Sequence, residues 1–327
     1  MTEFSIIEKH CHEVGPKHKE TVLGIGDDAA VIAVPDGSEL VVSVDSMVAG
    51  VHFFPHVKPA SLAHKLLAVN LSDLAAMGAQ PKWATMTLTL PDANEPWLNE
   101  FSNALKHQAD VYGVQLIGGD TTQGPLNLSL TVMGLVPRGK AISRRGAVVG
   151  DDLYVSNVVG DAALGLHCMR GDLHCSSELK AQLLDALEHP QARVELGLAL
   201  SDIASACLDL SDGLVGDVQH ICEQSRVAIE VDVDALPLSN AYSNYLAKGG
   251  DLIAALNGGD DYELVFTAAE SKRSDIAKLA KKLGIALSCI GRVTREAEQL
   301  DQQKVSLRQD GKAYTLPNTQ SYQHFSK

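Results

Sequence analysis

SLAHKLLAVNLSDLAAMGAQPKWATMTLTL, residues 61–90, changes its hydrophobic period in the middle. Over 61–78 the apolar residues recur at helical spacing, with Ser61 placed as N-cap and Gly78 as the stop. Over 84–90 they alternate with polar residues, which reads as a half-buried strand. Outward from this pair, ELVVSVDS at 39–46 reads as a strand and 96–112 as a helix opening on proline. Residues 114–118 and 126–136 read as two more strands, and the N-terminal segment as a helix. The expectation is a mixed sheet with helices on one face.

The stretch PRGKAISRRGAVVGDD, 137–152, is polar, carries glycine and has no periodicity, so it is the candidate domain junction. A second α/β pattern follows it, with strands near 152–156, 206–210, 227–233, 262–267 and 285–293. Helical stretches near 161–170, 178–203, 212–225 and 271–283 separate them. The reading is therefore an α/β (α+β) chain of two domains, 1–138 and 150–327.

Composition agrees with two cores: 327 residues, 45% hydrophobic and 21% charged. Acidic residues number 41 against 27 Lys plus Arg, a formal net charge of −14, which argues against nucleic acid or an anionic membrane surface as partner. Any polyphosphate bound by such a chain calls for bridging cations. The start, MTEFSIIEKHCHEV, has no apolar core of a signal peptide, and no apolar run reaches the roughly 18 residues that span a bilayer. A soluble cytoplasmic protein is expected. The six cysteines (Cys11, Cys168, Cys175, Cys207, Cys222, Cys289) lack CxxC spacing and are expected reduced and mostly buried.

One short theme recurs: an apolar run, glycines, then aspartate, as LGIGDDAAV, LIGGDTTQG and LNGGDDYEL. Asp27 and Asp28 follow Gly24 and Gly26; Asp45 is read as ending a strand; Asp73 lies in a helix; Asp120 follows Gly118 and Gly119. Asp209 and Asp212 stand in CLDLSDG, and Asp260 and Asp261 follow Gly258 and Gly259. A carboxylate at a strand end beside glycine can reach a cleft, and glycine lets backbone approach a phosphate closely. Such hard oxygen donors suit Mg²⁺. Any one Asp after Gly is ordinary turn chemistry, but turns alone do not explain aspartates closing apolar runs in both halves.

Other motifs carry less. Gly24-x-Gly26-x-x-Ala29 matches a dinucleotide fingerprint in form, yet the AAVIAVP that follows is strand-like and Asp27 and Asp28 would stand in the pyrophosphate's place. Gly134 to Lys140 misses the P-loop Ser/Thr and reads as a turn. HCMRGDLHC, 167–175, holds four potential zinc ligands but no loop between paired ligands. His10, His12 and His18 read as a solvated helix face.

GIGDDAA (24–30), SVDSMVAGVHF (43–53), AVNLSDLAAMGA (68–79), IGGDTTQGP (117–125), LDLSDGL (208–214) and GGDDYEL (258–264) occur in an order that closely resembles the thiamine-monophosphate kinase family, from about Phe4 to Phe325. That family belongs to the aminoimidazole ribonucleotide synthetase superfamily. The resemblance implies a PurM-like fold whose N-terminal ATP- and Mg²⁺-binding domain dimerises through its sheet, beside a C-terminal α/β domain. It implies transfer of the γ-phosphate of ATP, as co-substrate, to thiamine monophosphate, directly and in line, with several Mg²⁺ ions, in a homodimer. By motif it implies Asp28, Ser43, Val44 through its carbonyl, Asp45, Asp73, Asp120, Asp209 and Asp212 as Mg²⁺ ligands. Gly119, Asp120, Arg144 and Ser211 are implied as nucleotide-phosphate contacts, and His52, Asp260 and Tyr322 as substrate contacts. Asp120, Arg144 and Asp212 are then the residues that carry the transfer. Val44 and Asp260 depart from the family, which often has Thr and Glu at these positions.

Phosphoryl transfer asks a protein mainly for alignment and charge neutralisation. The acceptor, a phosphate oxygen, is already ionised at neutral pH, so no catalytic base is assigned. The rival readings are other members of the superfamily: selenophosphate synthetase, the hydrogenase-maturation protein, or aminoimidazole ribonucleotide synthetase itself. The first would want a reactive Cys beside a glycine-rich lead, whereas Cys11 sits in EKHCHEV; the second would want a C-terminal Cys, whereas the chain reads His-Phe-Ser-Lys there. A non-catalytic nucleotide- or metal-binding module and, more weakly, a nicotinamide-dependent oxidoreductase complete the alternatives.

Overall fold

The computed structural model describes residues 3–297 and 304–316. The chain divides into two compact units: 1–74 with 79–141, and 75–78 with 142–327.

The first unit contains α1 (Glu3–His10), β1 (Thr21–Leu23), β2 (Val31–Ile32), β3 (Ser38–Val48) and most of α2 (Pro59–Ala76). It continues with β4 (Gln80–Leu90), α3 (Glu95–Tyr112), β5 (Gln115–Gln123) and β6 (Asn127–Pro137). Its four-stranded sheet runs β3-β6-β4-β5, antiparallel except for the parallel pair β4/β5 that α3 connects. In β6, Leu128, Leu130, Val132 and Val136 are buried and their neighbours half-buried, the period-2 pattern of a sheet covered on one face. α3 packs through Leu98, Phe101, Leu105 and Ala109, spaced three, four and four residues apart. Each large member contributes about 1.5–3 kcal/mol by leaving water. The Asn94 side chain accepts the Trp97 N–H at 3.0 Å to start this helix, and Gly113 at φ 69° ends it.

α2 begins at Pro59, so Ser61 is not its cap. Proline's fixed φ suits the first helical turn, the Leu62 N–H already reaches the Lys58 carbonyl at 3.0 Å, and Ser61 is buried inside the helix. The early histidines do not form a solvated face either. His10 is buried with Nδ1 3.1 Å from Ser102 Oγ, and burial lowers its pKa. His18 lies beyond α1 and places Nε2 2.8 Å from the Gly113 carbonyl.

The second unit contains β7 (Asp152–Ser156), α4 (Asp161–Arg170), α5 (Ser177–Glu188), α6 (Val194–Leu200), β8 (Ala206–Asp209), α7 (Leu214–Ser225) and β9 (Val227–Asp232). Then come α8 (Asn240–Ala247), α9 (Ile253–Asn257), β10 (Leu264–Ala268), α10 (Arg273–Leu283), β11 (Leu287–Glu296), β12 (Val305–Gln309) and β13 (Lys312–Tyr314). The expected single helix over 178–203 is two, because Pro190 follows the end of α5 and cannot extend its hydrogen bonding. The seven-stranded sheet runs β13-β12-β9-β11-β7-β10-β8, with β12/β9 the one parallel pair. β7, β8 and β10 are buried at every position, so both faces of the sheet are covered there.

Two cysteines differ from expectation. Cys168 and Cys175 form a disulfide, because the turn at Gly171 brings the chain back and sets their Cα atoms 6.3 Å apart. Cys11, Cys207 and Cys222 are buried thiols, and burial pushes Cys11 up to about 11.

Gly119, in β5, has φ 151°, and a Cβ there would lie 1.9 Å from the Met86 carbonyl oxygen of β4. Gly119→Ala is expected to destabilise the first unit by about 2–4 kcal/mol, seen as a lowered thermal midpoint. An unchanged midpoint would mean that β5 can move away from β4.

Candidate functional site

In the first unit the sheet pleat sorts the acidic residues. β3 turns Ser43, Asp45 and Met47 toward the covered side, while Leu40, Val42 and Val44 are 40%, 55% and 58% exposed on the other. Asp45 does not end the strand: pairing with β6 runs unbroken from Ser38 to Val48. Its backbone N–H donates instead to Asn70 Oδ1 of α2 at 2.9 Å, and Asn70 returns its amide to the Leu66 carbonyl at 2.8 Å. One helical turn on, Asp73 accepts the Ser43 hydroxyl at 2.5 Å. Ser43, Asp45 and Asp73 are therefore brought together. Val44 points its side chain away from them, so only its backbone can face that side.

Asp120 is not part of this group. It lies inside β5, on the rung formed with Thr87, Ser129 and Ser46, which is the exposed face. Asp28 sits in an exposed turn between β1 and β2, its N–H held by the Asp27 carboxylate at 2.8 Å. His52 follows β3, and Nδ1 accepts the Val48 N–H at 3.0 Å, so the neutral ring carries its proton on Nε2.

In the second unit two of the glycine–aspartate segments lie side by side. The turn after β8 (209–213) and the stretch before β10 (258–263) exchange three backbone hydrogen bonds: Asp260 N to Ser211 O at 3.0 Å, Tyr262 N to Leu210 O at 2.7 Å, Leu210 N to Glu263 O at 2.8 Å. Gly259 is required by this approach, since a Cβ would stand 2.3 Å from the Ser211 carbonyl oxygen. Asp260 and Tyr262 adopt positive φ, 70° and 50°, tolerable for Asp and strained for Tyr. Asp209, Ser211, Asp212 and Asp260 thus share one corner. Arg144 is close enough for its charge to draw down the Asp217 pKa, and its carbonyl accepts the Ser225 hydroxyl at 3.0 Å.

Three further residues build this corner: Asp217 and Glu263, which the sequence did not single out, and Asp261, which it placed among the glycine–aspartate acids without a role. Asp217 takes the N–H groups of Ser211, Asp212 and Gly213, and burial pushes its carboxyl up to about 7. Asp261 is half-buried with both oxygens on the Gly160 N–H, at 3.0 and 2.9 Å; desolvation of its carboxyl, then Glu263, Asp161 and Asp260, raise its pKa well above the usual range. Glu263 receives Ser156 Oγ, Asn157 Nδ2 at 3.0 Å, and Arg193 through Nε at 2.7 Å and Nη2 at 2.5 Å. An acid in the first turn of a glycine-led helix was the signal for Asp217; nothing in the local sequence pairs Glu263 with Arg193, 70 residues away.

Among the described residues no three His, Cys, Asp or Glu side chains converge tightly enough to hold a metal unaided. The carried-over donor set is all oxygen, which fits a hard cation that retains water and shares its ligands with phosphate. Tyr322 lies outside the described residues.

Two family models match: AIR synthase related protein, N-terminal domain, over residues 26–136, and AIR synthase related protein, C-terminal domain, over 148–301. The thiamine-monophosphate kinase of Salmonella typhimurium is 44% identical over 325 residues, 99% of this chain and 98% of its own. The crystal structure of thiamine-monophosphate kinase from Stenotrophomonas maltophilia K279a superposes with TM-score 0.82 at 44% identity, covering 91% of this chain and 93% of that one. AaThiL complexed with AMPPCP and TMP is 29% identical with TM-score 0.77, covering 89% of each chain.

The Arg193–Glu263 pair is 15% and 6% exposed at its side chains. Arg193→Ala strands a buried carboxylate beside the 258–263 stretch and is expected to cost about 3–5 kcal/mol, read by urea unfolding of the second unit. A loss below about 1 kcal/mol, the range of surface pairs, would show that Glu263 is solvated.

Proposed function

The chain belongs to the thiamine-monophosphate kinase family of AIR synthase related proteins, and on that premise we propose that it transfers the γ-phosphate of ATP, directly and in line, to the phosphate of thiamine monophosphate. The products are thiamine diphosphate and ADP. The observation that carries this reading is 44% identity across 99% of the chain with a thiamine-monophosphate kinase.

The chain's own residues have three tasks. Arg144, next to the 209–213 turn, offers a fixed positive charge to the phosphates. Gly119, Asp120 and Ser211 complete the nucleotide contacts, and His52, Asp260 and Tyr322 the thiamine monophosphate contacts. Asp28, Ser43, the Val44 carbonyl, Asp45, Asp73, Asp120, Asp209 and Asp212 would hold Mg²⁺. When bound, Mg²⁺ supplies charge neutralisation between two polyanions that an acidic chain cannot otherwise bring together. With Asp120, Arg144 and Asp212 as the groups that carry the transfer, no side chain needs to remove a proton, because the acceptor oxygen is already anionic.

The N-terminal domain, 1–138, is read as the ATP- and Mg²⁺-binding and dimerising part, and 150–327 as the C-terminal α/β part. A homodimer is supported by β3, an edge strand presenting Leu40, Val42 and Val44 to solvent. Asp120 emerges on that same face, where a second copy would cover it. No described helix is long and apolar enough to cross a membrane, in keeping with a cytoplasmic location.

The test is ADP release from the purified protein with ATP and Mg²⁺, with and without thiamine monophosphate, following thiamine diphosphate by chromatography. Stoichiometric diphosphate is expected; ADP without it would redirect the reading to another acceptor. Asp120→Ala is expected to lower turnover by about 10²–10³-fold, and near-normal turnover would remove Asp120 from the site.

A further inference from the structure

Three consecutive backbone N–H groups, from Ser211, Asp212 and Gly213, converge on one oxygen, Asp217 Oδ2, at 3.1, 3.1 and 3.2 Å. Successive N–H groups ahead of a helix form a concavity that in many proteins receives a phosphate. Here it is filled from within. Asp217 stands in the first turn of the 12-residue α7 and is 4% exposed. A related contact occurs at the glycine that leads α4, where the single Gly160 N–H donates to both oxygens of the half-buried Asp261. The Ser211 carbonyl is also engaged, by the Asp260 N–H at 3.0 Å. Both polar backbone atoms of Ser211 are thus committed inside the protein, and an entering phosphate would have to evict a buried carboxyl group that already takes all three N–H groups.

We propose that Asp217 is a positioning residue that closes the anion-receiving turn ahead of α7, so that phosphate and cation meet the side chains of Ser211, Asp212 and Arg144 and not the backbone of the turn. The inference rests on the kinase reading and deepens it. Asp217 touches neither substrate nor metal; it acts by holding Ser211 and Asp212 at one orientation, with the 258–263 stretch latched to the other side of the same turn.

Two measurements on the full-length protein test it. Hydrogen exchange on the nucleotide-free wild type should show slow amides at 211–213; fast exchange there would overturn the proposal whatever the variants do. Asp217→Ala should lower kcat by about 10²-fold, the scale of a misplaced catalytic group, while the Michaelis constant for thiamine monophosphate changes less than about threefold. Formate, small enough to refill the concavity, should recover at least about tenfold of that kcat and raise the variant's thermal midpoint, with neither effect on the wild type. Asp217→Asn keeps an acceptor oxygen and should lose about tenfold less than Asp217→Ala. Equal losses in the two variants, or a formate response shared with the wild type, would refute the role. If the wild type makes no thiamine diphosphate, the kinase reading falls, while the exchange and thermal arms still decide this inference.

Discussion

Three backbone hydrogen bonds between the turn after β8 and the stretch before β10 hold the second unit's chemistry in place. Each segment carries acidic groups that would repel one another in free chains, and their separation in sequence is about fifty residues by number. Antiparallel pairing of β8 with β10, with Leu264 opposite Asp209, sets the two segments on adjacent rungs. Once they are adjacent, the remaining question is electrostatic. The structure answers it by giving these carboxylates dedicated donors: N–H groups for Asp217 and Asp261, and a guanidinium with a hydroxyl and an amide for Glu263. Burial raises the first two, and Asp209, Asp212 and Asp260 are the remaining acids of the two paired segments.

The first unit solves a related problem by geometry. A sheet can show two different chemistries at one strand because successive side chains alternate faces. β3 uses one face for Ser43 and Asp45 beside α2, and the other for an open row of valine and leucine. Asn70 matters here, since a buried amide that satisfies the Asp45 N–H ties the helix to the strand at the rung where the acids gather. Asp73 follows from the same helix face one turn later.

The period change within 61–90 was enough to read α2 and β4, and the alternation in β6 enough to read a one-sided sheet. Boundaries were legible only where local chemistry decided them. Pro96 and Gly113 bracket α3, whereas Ser61 misled because Pro59 had already started α2. Short elements such as β12 and β13 carry too few residues for a period to register. The glycines were recognised as needed for close approach, but at Gly119 and Gly259 the atoms approached are Met86 and Ser211 of the chain itself. Asp45 and Asp120 looked like strand ends because glycine or a polar run lay nearby, yet both sit inside long pairings. Long-range partners were illegible: no local pattern joins Glu263 to Arg193 or anticipates that His10 packs on Ser102.

The eleven residues of β3 meet β6 in one uninterrupted register, without a bulge. Lengthening or shortening the chain by a single residue anywhere along that strand would exchange its two faces beyond the change. The valines would then turn inward toward Asp73 as Asp45 turned out to solvent, so one lesion would remove acidic donors and an apolar surface together. Point substitutions can alter these two properties of β3 independently, but insertions and deletions cannot, and a family built on this strand is expected to conserve its length more strictly than its residues.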